Sequence, residues 1–392
     1  MIAAGGNLLV LQGGGPTPVL NTSLFGVIDE AARDSRITRI YGARFGIQGV
    51  IKSDLIDLSA LARERITSLR TSPGASLGST RYKPTDADME RILACLKQHD
   101  IRYLTLIGGN GTLRGAEAIA RACDTSGYEI RVIGIPKTID NDIVGTDRCP
   151  GYGSAARYLA QAVRDLGMDV RGLPQPVSII ETMGRGVGWI AGASVLAKLD
   201  EDHSPHRVEL PERPFDAGKF LATIDRTVTR LGWAVAVVSE GLRNASGGPV
   251  FEVSDPSQRD AMNRPLTGGV GTYVSELVTR ELKIRCRCEK PGLCGRASML
   301  HVSSQDQADA EMVGRAAVRA ALAGEHAKMV ALLPVEAGEP PRTQLVPLAQ
   351  CTGERTIPTA WLNDGDLAVN DSFVRYVRPV VGELVEYDIP LR

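Results

Sequence analysis

Short runs of apolar residues alternate with longer stretches of mixed polarity along most of the chain. A short continuous apolar run is typical of a strand buried in a parallel sheet, whereas apolar residues spaced three or four positions apart are typical of a helix. The alternation therefore predicts an α/β fold with mostly parallel sheets. The clearest strands are predicted at residues 8–11, 102–107, 130–135, 177–180 and 233–238.

Polar residues that can cap a helix mark the start of two predicted helices. Asn21 is the candidate cap after the first strand, and Thr85 is the candidate cap of a helix further on. A long helix is predicted to begin near Tyr152. The apolar face of the helix that follows Thr85 is predicted from Met89, Ile92, Leu93 and Leu96.

Each of the predicted strands ends in glycine or polar residues, and a helix follows. In open parallel sheets, ligands bind outside the carboxyl ends of the strands. We therefore expect the chemistry of this protein in the loops that follow its strands.

The length of 392 residues predicts two or three domains, at about 150 residues per domain. Cys149-Pro150-Gly151 interrupts the strand and helix pattern, so a boundary is predicted near residues 150–152. We assign residues 1–151, with roughly 298–370, to a first α/β domain and residues 152–297 to a second.

The composition bears on partners and on the cellular compartment. A net charge of −1 gives no reason to expect nucleic acid or an anionic membrane as a partner. No apolar run reaches the ~18 residues needed to span a bilayer, and the first residues lack the basic segment of a secretion signal. The seven cysteines are an odd number and mostly scattered, which is typical of free thiols in a reducing compartment. We expect a cytoplasmic protein.

Two glycine-rich loops follow predicted strands, at residues 13–18 and 108–112. Glycines allow backbone N–H groups to approach an anion closely, and the N-terminus of the following helix adds a favourable dipole. Neither loop has the P-loop pattern or the GxGxxG pattern. Two structural turns are the alternative, but two such loops at neighbouring strand ends favour a polyphosphate site.

The segment Pro136-Lys137-Thr138-Ile139-Asp140-Asn141-Asp142 places two carboxylates, an ammonium and a hydroxyl after a buried strand. Phosphoryl transfer needs a base for a hydroxyl proton, cations to balance negative charge, and a carboxylate for Mg²⁺. All three can come from this segment. The alternative is an Asx-rich surface loop.

Further charged residues follow later strands. Arg185, between glycines, can bind a phosphate through two hydrogen bonds, and Glu240 can accept hydrogen bonds from sugar hydroxyls. Glu240 taken alone is better explained by a solvated turn. Other candidate phosphate ligands, each more often a surface cation, are Arg81, Arg285, Arg287 and Arg296.

Taken in order, these segments resemble the phosphofructokinase family over nearly the whole chain. PKTIDND followed about forty residues later by ETMGR is the most specific part of the resemblance. The matching stretches are GGGPTPVLN (13–21), TSPGASLGSTRYKP (71–84), IGGNGT (107–112), IGIPKTIDNDIVGTDRCPGYGSAA (133–156), ETMGRGVGW (181–189), SEGL (239–242) and a weaker match at 285–296.

The resemblance implies two Rossmann-like, three-layer α/β domains with an active site in the cleft between them. The first would bind the phosphate donor and the second the sugar phosphate, with the chain forming a homodimer or homotetramer. The implied reaction transfers the terminal phosphoryl group of a donor to the 1-hydroxyl of fructose 6-phosphate, with Mg²⁺ as cofactor. Asp140 would be the base, Thr138 would contact the transferring group, and Asp142 would support Asp140 and the metal.

The remaining site residues are carried over by the same motif match. The catalytic set also includes Lys137 and Arg185, and the metal ligands would be Asn110 and Asp142. The donor would contact Gly14, Arg81, Tyr82, Gly109, Asn110, Gly111 and Thr112. The sugar phosphate would contact Thr138, Asp140, Met183, Gly184, Arg185, Glu240, Arg287 and Arg296, with the two last arginines on its 6-phosphate and partly across a subunit boundary.

Two positions bear on the identity of the donor. Family members that use diphosphate usually carry Asp where Gly111 stands, and a carboxylate there would repel the α-phosphate of ATP. Lys137 replaces a glycine of the common bacterial ATP enzymes, and its ammonium can balance diphosphate charge. Because some ATP users also carry this lysine, we treat Gly111 as more decisive and expect ATP, with diphosphate as the alternative.

The chain departs from the family pattern at several positions. Asn110 replaces an Asp that helps to hold Mg²⁺, so the metal depends more on Asp142 and the donor phosphates. Leu293 and Gly295 replace a His and a Gln, and Pro176 replaces a phosphate-binding Arg. These losses open the choice of acceptor to another phosphosugar, such as sedoheptulose 7-phosphate.

Two alternatives come from other functional classes. A non-catalytic regulatory subunit that binds sugar phosphate has no chemical need for a base, and the retained Asp140 and Asp142 disfavour it. A nicotinamide-dependent dehydrogenase is disfavoured because GxGxxG with an acid about 20 residues later is absent.

Overall fold

The computed structural model describes residues 5–174, 176–251, 268–334 and 341–387. The chain divides into two compact units, each assembled from two stretches of sequence. The first unit comprises Met1–Tyr152 and Arg296–Arg355, and the second comprises Gly153–Gly295 and Thr356–Arg392.

The helices and strands follow one another in the alternating order that the sequence predicts. The strands of the described residues are β1 (Gly6–Gln12), β2 (Ile37–Ala43), β3 (Leu55–Asp57), β4 (Ile101–Gly108), β5 (Arg131–Pro136), β6 (Val177–Thr182), β7 (Arg207–Glu209), β8 (Ala234–Ser239), β9 (Cys286–Glu289), β10 (Lys328–Leu332) and β11 (Thr343–Pro347). The α-helices are α1 (Leu20–Ala31), α2 (Ile47–Lys52), α3 (Arg63–Ser68), α4 (Asp86–Gln98), α5 (Asn110–Thr125), α6 (Tyr152–Arg171), α7 (Trp189–Ala193), α8 (Ala217–Leu231), α9 (Val270–Leu282), α10 (Ser304–Leu322) and α11 (Asp371–Val381).

The sheet of the first unit has the strand order β11-β10-β5-β4-β1-β2-β3. The edge strands β3 and β11 are antiparallel to their neighbours, and the other pairs are parallel. Helices α1 and α10 contribute to the apolar core on one face, and α4 and α5 to the core on the other face. Because β5, β4 and β1 lie side by side, the loops that follow them emerge next to one another.

The sheet of the second unit has the order β7-β8-β6-β9, and all its strand pairs are parallel. Helices α8 and α9 pack their apolar residues on β6 and β8. Both sheets therefore confirm the predicted α/β fold with mostly parallel strands.

The two predicted helix starts have different outcomes. Thr85 caps α4 through a capping box with Asp88, as predicted. The predicted cap at Asn21 is wrong, because α1 begins at Leu20 and Asn21 lies inside the helix. The Asn21 side chain instead bonds the backbone of Ser72 and Ser76, which pins a distant loop to α1.

The C-terminal boundary of the first unit also differs from the prediction. We placed residues up to about 370 in the first domain, whereas the chain from Thr356 onward belongs to the second unit. Trp361 and Phe373 both pack against Trp189 of the second unit, with ring centroids 6.2 and 5.9 Å apart. This aromatic cluster accounts for the assignment, since buried aromatic rings contribute strongly to packing.

No helix in the described part of the chain is long and apolar enough to cross a membrane.

We expect Gly26→Ala to lower the free energy of unfolding by about 1–3 kcal/mol, because a Cβ on Gly26 would lie 2.4 Å from the carbonyl oxygen of Glu311 on α10. Urea denaturation measures this loss. Gly115→Ala is the matched control, since Gly115 lies inside α5 with no atom within 4 Å of its added Cβ. Alanine there should stabilise the protein by up to about 1 kcal/mol. Equal effects of the two changes would contradict the proposed contact between α1 and α10.

Candidate active site

The loops after β1, β4 and β5 contact one another directly. The Thr112 side chain packs against Gly13, since a Cβ on Gly13 would lie 2.3 Å from the Thr112 hydroxyl. A Cβ on Gly109 would lie 3.4 Å from the carbonyl oxygen of Lys137. The Lys137 N–H also donates to the Gly108 carbonyl at 3.0 Å. The structure thus brings both glycine loops and the 136–142 segment together.

The segment that contains Arg81 is fixed to the first glycine loop. The Gly14 N–H donates to the Thr80 carbonyl at 3.0 Å, and the Ser79 hydroxyl donates to the Gly14 carbonyl at 2.6 Å. These bonds hold the following residue, Arg81, beside the loop, and the nearest Arg81 nitrogen lies 3.7 Å from an added Cβ on Gly15. The side chain of Ser79 was not predicted to have this role.

Lys137 is buried against the same loop. Its side chain is 2% exposed, and its ammonium donates to the Gly15 carbonyl at 2.6 Å. Burial, with smaller contributions from Arg296 and Arg81, lowers the pKa of Lys137 to about 8, although Asp140 and Asp142 oppose the shift. A backbone carbonyl therefore fixes the position of the Lys137 ammonium, and charged side chains of both signs lie near it. This arrangement suits an ammonium that binds an anionic ligand.

We expect the affinity for a polyphosphate to fall as the pH rises past about 8, because Lys137 with its lowered pKa then loses its charge. The dissociation constant of imidodiphosphate with Mg²⁺, measured between about pH 7 and pH 9.5, tests this expectation. Lys137→Met should bind more weakly and should lose this pH dependence. The same pH dependence in the wild type and in Lys137→Met would contradict this role for the lysine.

Asp140 lies in a turn that other residues fix. Its N–H donates to the Thr138 hydroxyl at 3.1 Å. Asn141 has a φ of +56° and accepts the Cys149 N–H at 3.0 Å with its side-chain oxygen. Asp140 lies close enough to Lys137 and Arg296 for its carboxylate to stabilise both cations.

Asn110 and Asp142 form the candidate metal site. The Asn110 amide donates to one Asp142 carboxylate oxygen at 2.8 Å. The other Asp142 oxygen and the Asn110 oxygen are buried and have no hydrogen-bond partner within the described residues. Burial and Glu354 raise the pKa of Asp142, and hydrogen bonds from Thr138 and Asn110 oppose this shift. Two buried oxygens without partners fit a Mg²⁺ ion that takes its other ligands from phosphates and water.

The candidate metal site has few protein ligands. In the described ranges, no group of three or more His, Cys, Asp or Glu side chains could hold a metal ion. An ion at Asn110 and Asp142 would therefore depend on donor phosphates. Mg²⁺ commonly binds in this way, through one or two protein carboxylates and the substrate.

Two other predicted donor residues have contrasting surroundings. Gly111 is in the first turn of α5, with no atom within 4 Å of an added Cβ, so space is open there. The Tyr82 hydroxyl donates to Asp88 at 2.7 Å, which raises the pKa of Tyr82 and ties it to the start of α4. Tyr82 therefore has a structural partner whether or not it also contacts the donor.

The predicted sugar-binding loops of the second unit follow β6 and β8, which are adjacent. The Ser239 hydroxyl donates to the Gly184 carbonyl at 2.5 Å, and the Glu240 N–H donates to the Thr182 carbonyl at 3.0 Å. A Cβ on Gly241 would lie 1.8 Å from the Arg185 carbonyl oxygen, so only glycine fits at this position. The two loops that carry Met183, Gly184, Arg185 and Glu240 therefore contact each other directly.

The remaining predicted sugar-phosphate residues are more dispersed. Arg287 on β9 is exposed and pairs with Ser178, four residues before the end of β6, so it lies about 13 Å along the sheet from that end. The backbone of Arg287 therefore lies away from the loop that follows β6, and its binding role stays a prediction. Two positions near Arg296 depart from the family pattern. Leu293 there is 64% exposed, and a Cβ added to Gly295 would lie 3.3 Å from the Tyr158 ring.

Arg355 supports the 136–142 segment, and no sequence pattern pointed to it. Its N–H donates to the Asp142 carbonyl at 2.8 Å, and its guanidinium donates to the Asn141 carbonyl at 3.3 Å. These partners are more than 200 positions away in the sequence, and no local pattern around Arg355 indicated the contact.

Comparison with known proteins agrees with the motif match. The sequence model described as Phosphofructokinase matches residues 7–321. A relative named pyrophosphate–fructose 6-phosphate 1-phosphotransferase, from Xanthomonas campestris pv. campestris (strain B100), is 36% identical over 96% of this chain and 91% of its own length. A sulfofructose kinase of Alkalicoccus urumqiensis is also 36% identical, over 81% of each chain.

The fold has a solved counterpart. The crystal structure of a pyrophosphate-dependent phosphofructokinase from Nitrosospira multiformis covers 98% of this chain and 95% of its own, with a TM-score of 0.87 at 31% identity. Sequence and fold therefore agree over nearly the whole length. The chain belongs to the phosphofructokinase family and is an enzyme of the 6-phosphofructokinase type.

Proposed function

We propose that this protein transfers the terminal phosphoryl group of ATP to the 1-hydroxyl of fructose 6-phosphate, or of a close ketose phosphate, with Mg²⁺. The observation that carries the proposal is the meeting of the three loops after β1, β4 and β5. Lys137 lies against Gly15 there, in the same segment as Asp140. Such a cluster of backbone N–H groups, cations and a carboxylate is suited to phosphoryl transfer.

In this mechanism, Asp140 accepts the proton of the 1-hydroxyl while the hydroxyl oxygen bonds to the terminal phosphorus. The bond from that phosphorus to its bridging oxygen breaks, and ADP leaves with the electron pair. Lys137 and Arg81 offset the negative charge that spreads over the phosphoryl oxygens. Thr138 contacts the transferring group, and Arg185 and Glu240 hold the sugar.

The buried oxygens of Asn110 and Asp142 would hold Mg²⁺ beside this segment. When bound, the metal neutralises charge on the donor phosphates. Asn110 also hydrogen-bonds to Asp142, which keeps the carboxylate in place for the metal.

The open space at Gly111 supports ATP as the donor, because no side chain obstructs a nucleotide at that point. Diphosphate is the second candidate, and the names of the Xanthomonas relative and of the Nitrosospira structure favour it. Purified protein assayed with Mg²⁺ and fructose 6-phosphate distinguishes the two donors. Turnover with diphosphate but not with ATP would overturn the donor proposal, and turnover with neither would oppose the acceptor as well.

The acceptor has a second candidate too. The sugar of the sulfofructose kinase relative carries a sulfonate, and a sulfonate has a single negative charge whereas a phosphate is largely dianionic at neutral pH. The loss of basic residues at Pro176 and Leu293 fits an acceptor with the smaller charge. The same assay with 6-sulfofructose and with sedoheptulose 7-phosphate in place of fructose 6-phosphate ranks the acceptors by kcat/KM.

Cytoplasmic location and assembly as a homodimer or homotetramer stay predictions. Analytical ultracentrifugation of the purified protein measures the assembly directly.

A further inference from the structure

We propose that Glu181 is a positioning residue for the acceptor, and that its buried carboxylate sets the affinity for the sugar phosphate by fixing the loop that follows β6. This inference rests on the proposed function. It adds a residue that the motif match does not place in contact with any substrate. Glu181 precedes Met183 and Arg185, two residues predicted to contact the sugar, by two and four positions.

The first support is the way in which the Glu181 carboxylate is bound. Glu181 is 2% exposed, and its Oε2 accepts the N–H of Gly269 at 3.0 Å and the N–H of Gly271 at 2.9 Å. These two glycines flank the first residue of α9, where unpaired N–H groups and the helix dipole favour an anion. The carboxylate therefore joins the end of β6 to the start of α9.

The second support is the run of glycines that meets this carboxylate. A Cβ on Gly271 would lie 2.9 Å from the Cβ of Glu181, and a Cβ on Gly268 would lie 3.3 Å from its Oε1. Gly268 and Gly269 have φ angles of +123° and +94°, which residues with a side chain rarely adopt. The sequence thus provides backbone without side chains where the carboxylate approaches α9.

The third support is charge. The ammonium of Lys290, which directly follows β9, pairs with Oε1 of Glu181 at 2.8 Å, and the Lys290 side chain is 49% exposed. Both carboxylate oxygens therefore have partners. Loss of the carboxylate would leave two N–H groups and a cation without their acceptor, which is costly at a buried position.

The fourth support is the place of Glu181 in the sheet. The backbone pairing of β6 with β9 ends at Ile180, whereas its pairing with β8 continues to Thr182. Just past Ile180, the ion pair of Glu181 with Lys290 continues the connection between β6 and β9. A displacement of about 1 Å in a group that positions a substrate can cost about 100-fold in activity, so we expect the acceptor to sense this anchor.

Glu181→Gln tests the proposal, because the amide keeps the size of the side chain but loses its charge and one acceptor oxygen. It should raise the KM for fructose 6-phosphate by about tenfold and leave kcat at saturating acceptor within about threefold. The dissociation constants of imidodiphosphate and adenylyl imidodiphosphate, each with Mg²⁺, should stay within about twofold of the wild-type values.

Lys290→Met is a second variant, and it should fold in any case because the ammonium is half exposed. Alone, it should raise the same KM by about twofold to threefold. In the double variant, the KM should be lower than in Glu181→Gln, because the amide no longer faces an ammonium. A double variant with a higher KM than Glu181→Gln contradicts the pairing on which the proposal depends.

Asp216→Ala is the matched control in the same unit. The Asp216 carboxylate caps α8 by accepting the Lys219 N–H at 3.0 Å. Its loss should lower the melting temperature, as Glu181→Gln does, but should leave the KM for fructose 6-phosphate unchanged. An unchanged KM in Glu181→Gln, or an equal rise in both variants, overturns the proposal.

Failure of the proposed function gives a different result. In that case the wild-type enzyme turns over fructose 6-phosphate with neither ATP nor diphosphate, and the role of Glu181 fails with it. Failure of the inference alone leaves an active wild type and a Glu181→Gln variant with the same KM.

Discussion

Replacing Asp140 with asparagine is expected to lower kcat by about 10²-fold or more, because the amide keeps the shape of the carboxylate but cannot take the hydroxyl proton. The backbone of Asp140 should stay in place, since its N–H bond to Thr138 and the Asn141 contact to Cys149 do not involve the carboxylate. Single-turnover kinetics with saturating donor and acceptor measure the chemical step directly.

The control for this prediction is Asp124→Asn, which makes the same chemical change at an exposed carboxylate near the far end of α5. It should keep wild-type turnover. Asp140→Asn should still bind fructose 6-phosphate and the donor analogue. If its chemical step proceeds at the wild-type rate, another group must be the base.

Replacing Gly111 with aspartate is expected to lower kcat/KM for ATP by about 10²-fold and to affect diphosphate use much less. A carboxylate about 4–8 Å from the α-phosphate costs about 2–4 kcal/mol at an effective dielectric constant near 20. The fold should tolerate the change, because the site is open and an acid is favourable in the first turn of α5. Steady-state kinetics of the variant and the wild type, at one concentration of acceptor, give the change in kcat/KM for ATP and the change for diphosphate.

Two neutral variants separate charge from size. Gly111→Ala has room for its methyl group and should retain ATP use. Gly111→Asn has the shape of the aspartate without its charge and should lie between Gly111→Ala and Gly111→Asp. Equal losses with ATP in the asparagine and aspartate variants would show that space, and not charge, determines the donor.

The loops of the first unit could be predicted because their placement follows from local pattern. Each apolar run became a strand of the expected type, and parallel strands carry their following loops to one edge of the sheet. The contact between Gly13 and Thr112 is a direct result of β1 and β4 being neighbours. Lys137 and Asp140 follow β5, and they lie beside these two loops because β5 pairs with β4.

The parts that could not be predicted depend on contacts between distant segments. Asn21 has the chemistry of a helix cap, but tertiary hydrogen bonds to the 72–76 loop use its side chain instead. Arg355 contacts Asn141 only because the chain after β11 runs back to the 136–142 segment. The guanidinium of Arg296 could bind the donor phosphates or the sugar phosphate. The sequence alone does not show which loop Arg296 contacts.

The order of synthesis has a consequence for the first unit. Its sheet is completed by β10, which pairs with β5, and its buried Arg148 needs Asp309 on α10 as a partner at 2.6 Å. Both partners follow the whole 153–295 stretch of the second unit. A nascent chain emerging from the ribosome therefore exposes an open β5 edge and the apolar side of α1 for well over a hundred residues of elongation, and we expect it to require chaperone protection during that interval.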